Sequence, residues 1–166
     1  MAPVARFDES SAECRIFTYK DGLLSPFGHD LTLGVGRFTI DVDGDQVEAS
    51  FAADSLRVLA AAGGAVPLLS RDKQSIEETL VKEILQARRH PQIHFRARVE
   101  VEQIRGTLTI LGRSREIVCR HTVDGARHSA EARLHQPDFG ITPYRAMLGA
   151  LRIKADVDVR VSLTAA

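Results

Sequence analysis

The sequence predicts a mainly-β protein: an antiparallel β-barrel of about eight strands, with one helix near residues 75–88 and a short helical turn near 144–149. Three observations carry this expectation. Apolar and polar residues alternate with period two over most of the chain, the pattern of strands with one wet face and one buried face. Asp43-Gly44 and Asp124-Gly125 each fall between two alternating segments, where tight hairpin turns favour such pairs. One stretch alone changes to helical spacing. Many consecutive strands with a single apolar face must close on themselves or pair with a second sheet, and closure removes exposed edges. A barrel of that size encloses either its own side chains or one ligand cavity.

In chain order, Glu13–Tyr19, Leu31–Val42 and Gln46–Ala53 read as strands, the last two joined through Asp43-Gly44. Ala60–Ala65 reads as a flexible connection. Ser75-x-x-Glu78 then reads as a capping box, and Ile76, Leu80, Val81, Ile84 and Leu85 recur at helical spacing. Glu77 and Glu78 in the first turn and Arg88 and Arg89 near the end suit the helix dipole, with Pro91 as the stop. Ile93, Phe95, Ala97, Val99 and Val101 alternate with polar residues, as do Ile104, Gly106, Leu108 and Ile110. Glu116–Val123 leads through Asp124-Gly125 into a strand carrying His128, Ala130, Ala132 and Leu134 on its apolar side. The clearest alternation is Arg152–Leu163, where every odd position is apolar and every even one polar. Several inward positions are small: Ala49, Ala97, Gly106, Ala130, Ala132 and Ala155. Small inward residues point to an interior that its own side chains do not fill.

Composition narrows the partners. The 166 residues suit a single domain spanning 1–166. Lys plus Arg equals Asp plus Glu at 22 each, so no net field favours a nucleic acid or an anionic membrane surface. Hydrophobic residues make up 44% and charged ones 27%, yet no apolar run approaches the roughly 20 residues of an integral membrane segment. Trp is absent and Phe, at seven, dominates the aromatics, so an apolar cavity would be lined by Phe and aliphatic groups. The first ten residues carry Asp8 and Glu9 and lack a basic, then apolar, leader, so the expected location is cytoplasmic. Cys14 and Cys119, far apart and without CxxC spacing, read as reduced core residues.

Motifs for catalysis are missing from this pattern. Asp41–Asp45 lacks the continuation of a calcium loop and reads as a solvated turn. His90 and His94 are separated by Pro91 and cannot share a helical face, so no metal site is expected there. Gly34-Val35-Gly36 precedes no helix and reads as a place where a strand bends. There is no G-x-S-x-G and no HExxH, and the expectation is a protein that is not an enzyme. Two segments rich in Gly, Pro and aromatics remain: Ser25–Asp30, which carries His29, and Pro137–Ile141 followed by Pro143–Gly149. They read as connections packed over a barrel end, with the second forming a lid or entrance.

Phe27-Gly28-His29-Asp30, then Gly36-Arg37-Phe38 with Gly44, resembles the opening of the YceI-like family. His90–Phe95 resembles its "yP.I.F.S" segment, Ile104–Gly112 its "v.G.LTi.G" hairpin, and Asp138-Phe139-Gly140-Ile141 its "DFGi" turn. The ordered set spans the chain from about Cys14 to Leu163. Two departures stand out: Gln136 replaces a basic residue two positions before "DFG", and the helical segment 70–87 is long, as in a cytoplasmic-type branch without a signal peptide. The resemblance implies a lipocalin-like barrel that holds a hydrophobic small molecule as a carrier, storage or stress-response protein. The implied ligand is a polyisoprenoid, either an isoprenoid quinone or a polyprenyl phosphate, with no cofactor beyond it. On that reading His29, Tyr144 and Arg145 stand at the mouth, and Phe27, Phe38, Phe51, Phe95, Leu108, Phe139 and Val157 line the interior. Two alternatives stand beside it. One is a filled-core barrel acting as an interaction module or homodimer along a strand edge. The other is an enzyme using His29 or His128 on an apolar substrate.

Overall fold

Alternation does become a curled antiparallel sheet. The computed structural model describes residues 4–24, 28–64, 66–146, 149 and 151–165. Eleven strands form one sheet: β1 (Ala5–Asp8), β2 (Ala12–Thr18), β4 (Asp30–Val35), β5 (Phe38–Asp43), β6 (Gln46–Ala52), β7 (Leu56–Ala62), β8 (Gln92–Val99), β9 (Gln103–Ile110), β10 (Arg113–Asp124), β11 (Arg127–His135) and β14 (Asp156–Thr164). Their order is β1-β5-β6-β8-β9-β10-β11-β14-β2-β4-β7, a half-barrel with β1 and β7 at its edges. A small second sheet of β3 (Lys20–Asp21), β13 (Leu151–Ile153) and β12 (Arg145–Ala146) sits beside it.

The count of fourteen strands, against about eight expected, has a physical reason. The expected strand Leu31–Val42 breaks at Gly36-Arg37 into β4 and β5, and 53–55 likewise interrupts the partner chain between β6 and β7. Val35 pairs with Leu56 and Phe38 with Phe51, so β4–β5 and β6–β7 are two arms of one long hairpin, bent in the middle. The corner is held by Gly36 N–H donating to the Ser55 carbonyl (2.8 Å) and Ala52 N–H to the Arg37 carbonyl (3.0 Å). The bend lets β4 join β2 on one side while β6 joins β8 on the other. Likewise, the long C-terminal alternation is interrupted at Lys154-Ala155, and Val101 lies past the end of β8 with 95% of its surface exposed.

Turn chemistry follows the sequence closely. Gly44 and Gly125 have φ of 61° each, as tight hairpins demand. The β9–β10 turn uses Leu111 (φ 53°) and Gly112 (φ 72°), so a leucine occupies the left-handed region, where a non-glycine side chain is strained. Gly106 has a different purpose. It pairs with Ala97 across β8–β9, and a Cβ on it would collide with the Arg96 carbonyl and the Ala97 side chain. Its smallness lets two strands approach and leaves no space for a guest.

The helix runs over Ser70–Thr79 and continues as a π-helical turn over Leu80–Ile84, where Leu85 N–H reaches the Leu80 carbonyl (2.9 Å). It therefore starts and stops earlier than the 75–88 that Ser75-x-x-Glu78 suggests. Asp72 caps it instead, its carboxylate accepting from Leu69 N–H (2.9 Å). Gln86, at φ 46°, ends the segment before Pro91 is reached. This helix packs on β7, and the Glu77 carboxylate accepts from Val58 N–H (2.8 Å), so a sheet edge is covered. Residues 60–62, expected in a loop, end β7. The expected helical turn near 144–149 is opened by strand β12, whose Arg145 pairs with Arg152 of β13. Residues 147, 148 and 150 of that turn lie outside the described ones.

The charges sit on the outer face, as cross-strand partners. Arg6–Asp41, Arg96–Glu48, Arg120–Glu131 and Arg133–Asp158 are each both a register pair and an ion pair. Each such exposed pair adds little, because water screens it. They set opposite charges side by side on the outer face, in keeping with the neutral balance of the chain.

Candidate ligand cavity

The concave side of the sheet surrounds two apolar chambers. The larger, about 390 Å3, is walled by β5, β6, β8–β11 and β14 through residues such as Ile40, Val47, Ala49, Phe95, Ile117, Ala130, Ala132 and Val161. It falls within the range of about 300–1,000 Å3 common for ligand sites. The smaller, about 150 Å3, lies toward the helical end, between Ile16, Leu33 and Val157 of the sheet, Leu80, Ile84 and Leu85 of the helical segment, and Phe139, Ile141 and Tyr144. Phe51, Leu108, Leu134 and Val159 line both chambers and form the neck between them. No Asp, Glu, Lys or Arg lines either one among the described residues.

Of the residues expected at the site, Phe51 and Leu108 stand at the neck, Phe95 lines the larger chamber, and Phe139, Tyr144 and Val157 line the smaller. Three others lie elsewhere. Phe38 is on the inward face with its register partner Phe51, their rings stacked at 5.7 Å, but it is buried in the core and lines neither chamber. His29 is held outside them, its Nε2 2.9 Å from the Val66 carbonyl. Arg145 is exposed on β12 and lines neither chamber. Phe27 lies outside the described residues. The small inward residues divide the same way: Ala49, Ala130 and Ala132 face the larger chamber, whereas Ala97 and Gly106 serve strand contact.

Polar groups in the walls are few. The smaller chamber has Gln136, whose amide donates to the Lys154 carbonyl (3.1 Å), and the buried Thr18, whose hydroxyl has no partner among the described residues. The larger has a histidine pair that the alternation already contained. Ile117, Cys119 and His121 share one face of β10, so His121 follows directly from the register that places its neighbours inward. His121 Nε2 lies 3.1 Å from His128 Nδ1, and the rings stack at 5.3 Å. Burial, and then the neighbouring His128, lower the His121 pKa and favour its neutral form. Both cysteines are buried and unpaired, Cys14 in the wall of the smaller chamber and Cys119 in that of the larger. Burial pushes their thiols up to about 12 and about 11, so neither is a nucleophile at neutral pH.

The YceI-like domain family matches residues 8–165, nearly the whole chain. The chain belongs to the YceI-like family. Two solved structures share this fold. One is described as a polyisoprenoid binding domain from Saccharophagus degradans implicated in plant cell wall breakdown; it is 9% identical with a TM-score of 0.63, and all of both chains is covered. The other is BcnA of Burkholderia cenocepacia, 13% identical with a TM-score of 0.58, over 92% of this chain and 96% of that one. No curated protein matches the sequence. At these identities the neighbours establish the lipocalin-like half-barrel of this YceI-like chain, and among its described residues no helix is long and apolar enough to cross a membrane.

Proposed function

We propose that this YceI-like protein binds one long apolar molecule, a polyisoprenoid, along the two chambers and carries or stores it. The observation that carries this reading is the pair of apolar chambers with common lining residues at the neck, and no charged side chain in their walls among the described residues. Support also comes from the Saccharophagus domain of the same fold, described as polyisoprenoid binding. A tail in this space gains about 25 cal/mol per Å2 of apolar surface removed from water, so affinity needs few directional contacts. Length and shape of the tunnel then set which chains fit. The reading assigns no chemistry to the site and no resident cofactor, consistent with the raised thiol pKa values. It keeps the cytoplasm as the place of action.

The test is organic extraction of the purified protein followed by mass spectrometry. A stoichiometric isoprenoid chain is expected. Protein that emerges empty after expression in a lipid-replete cell, and that takes up no isoprenoid afterwards, would overturn the reading.

A further inference from the structure

The larger chamber is apolar except at one end. His128 and His121 stand together there, beside the turns 43–45, 100–102 and 124–126 that ring this end of the sheet. A neutral histidine offers one ring donor and one ring acceptor. The contact between His121 Nε2 and His128 Nδ1 uses one donor and one acceptor of the pair. What remains, His121 Nδ1 and His128 Nε2, is one donor and one acceptor whichever tautomers the rings adopt. His121 Nδ1 is buried with no partner among the described residues, so a guest oxygen does not reach it, and His128 Nε2 is the nitrogen left for a guest. A nitrogen on an apolar wall that is a donor in one tautomer of the pair and an acceptor in the other suits a guest oxygen of either kind, a carbonyl that accepts or a hydroxyl that donates.

Charge points the same way. An anionic head in this chamber would meet no Arg or Lys in its walls, and an isolated buried anion is strongly disfavoured. Outside, the rim carries Asp43, Asp45, Glu100, Glu102 and Asp124, with Arg98, Arg105 and Arg127 as its cations. Arg98 is spent on Asp45 (3.7 Å), and Arg105 on Glu100 (3.4 Å) and Glu116 (3.1 Å). The rim is therefore acidic, which repels an anionic head group.

Resting on the carrier reading, we infer that His128, positioned by His121, receives the polar end of the bound chain, and that this end is an uncharged carbonyl or hydroxyl and not a phosphate. The tail then points through the neck toward the helical end. Between the two chemistries a polyisoprenoid can carry, the site selects the neutral one.

Three probes with a common tail test this against a hydrocarbon dye, diphenylhexatriene, which has no polar atom and reports the cavity itself. 2-Dodecanone and 1-dodecanol should displace the dye at concentrations more than tenfold below dodecyl phosphate. His128→Leu should weaken the ketone and the alcohol about 5–10-fold, the worth of one net hydrogen bond, and leave the dye affinity unchanged. His121→Gln, which retains a donor and an acceptor toward His128, should stay within about twofold of the parent protein. If the dye binds and the Leu variant leaves both head-bearing probes unchanged, the head-group site is wrong and the carrier reading stands. If dodecyl phosphate competes as well as the alcohol, the preference for an uncharged head is wrong. If neither the dye nor any C12 probe enters the parent protein, the carrier reading fails and this inference with it.

Discussion

Ala132→Phe should close the tunnel while leaving the barrel folded. Ala132 pairs with Val159 of the neck and lies two residues before Leu134, the neck residue on the same strand, with its methyl facing the larger chamber. A phenylalanine side chain buries about 150–250 Å2, and here that area is taken from surface the tail would otherwise cover. At about 25 cal/mol per Å2, losing about 150 Å2 of tail contact costs about 4 kcal/mol. That is roughly a thousandfold in affinity, or a hundredfold if the tail folds back into the larger chamber alone. An extra ring forced into a filled core costs about 1–3 kcal/mol, but this ring enters open space of about 390 Å3. Unfolding midpoints in urea should therefore move by less than about 1 kcal/mol. Dye titration and urea unfolding, run on the same preparation, separate the two effects. A variant that unfolds like the parent and still binds the dye and the extracted lipid with parental affinity would refute the placement of the ligand.

Other perturbations test the frame around the cavity. Gly106→Ala should lower stability by about 1–3 kcal/mol in urea unfolding, because the added methyl meets the β8 backbone and not empty space. Glu77→Ala removes the acceptor for Val58 N–H and should cost about 1 kcal/mol, with faster hydrogen exchange at that edge amide of β7. The hydrogen bond from Arg133, then that from Tyr19, holds Asp158 below the usual carboxylate value. Its contribution is thus complete above about pH 4 and is lost as pH falls through the lowered folded value. Tyr19→Phe, which deletes the 2.5 Å bond to Asp158, should shrink the stability difference between pH 7 and pH 3.

Strand identity was legible wherever one face is wet and the other buried, which is why β6, β8–β11 and the Arg152–Leu163 alternation could be read residue by residue. It failed where that contrast is missing. Leu56–Ala62 has no polar alternation to read, since its last three residues are alanines and Leu59 is half exposed beside the helix. The helix start was obscured because Ser70–Thr79 buries nothing fully, so its first turn carries no apolar period and Asp72 caps from a position that Ser75 seemed to occupy. For the site, aromatic identity was a fair guide only in strands of known register. Phe51 and Phe95 reach the chambers, whereas Phe38, next to the Gly36-Arg37 corner, does not. The mouth assigned to His29 and Arg145 followed loop composition, which says where chain turns and not what faces inward. His121 is the reverse case, a polar residue in a readable register, in contact with the His128 that the alternation of β11 turns inward.

The bend at Gly36-Arg37 and the emptiness of the interior are connected. A closed barrel whose inward positions were filled by Leu or Ile would gain about 0.8 kcal/mol for each buried methylene, and Ala49, Ala130 and Ala132 forgo that gain in the same chamber. The chain offsets that loss at the perimeter. The cross-strand ion pairs, the Gly106 contact, the Ser55 corner and the helix over β7 all hold the wall without help from the interior. A wall that stands by itself is what a carrier requires, because the guest must leave without the fold collapsing. It also explains why the walls carry so little polarity: each polar group placed inside must be satisfied in the empty state as well as the loaded one. The His121–His128 contact does this for one nitrogen of each ring.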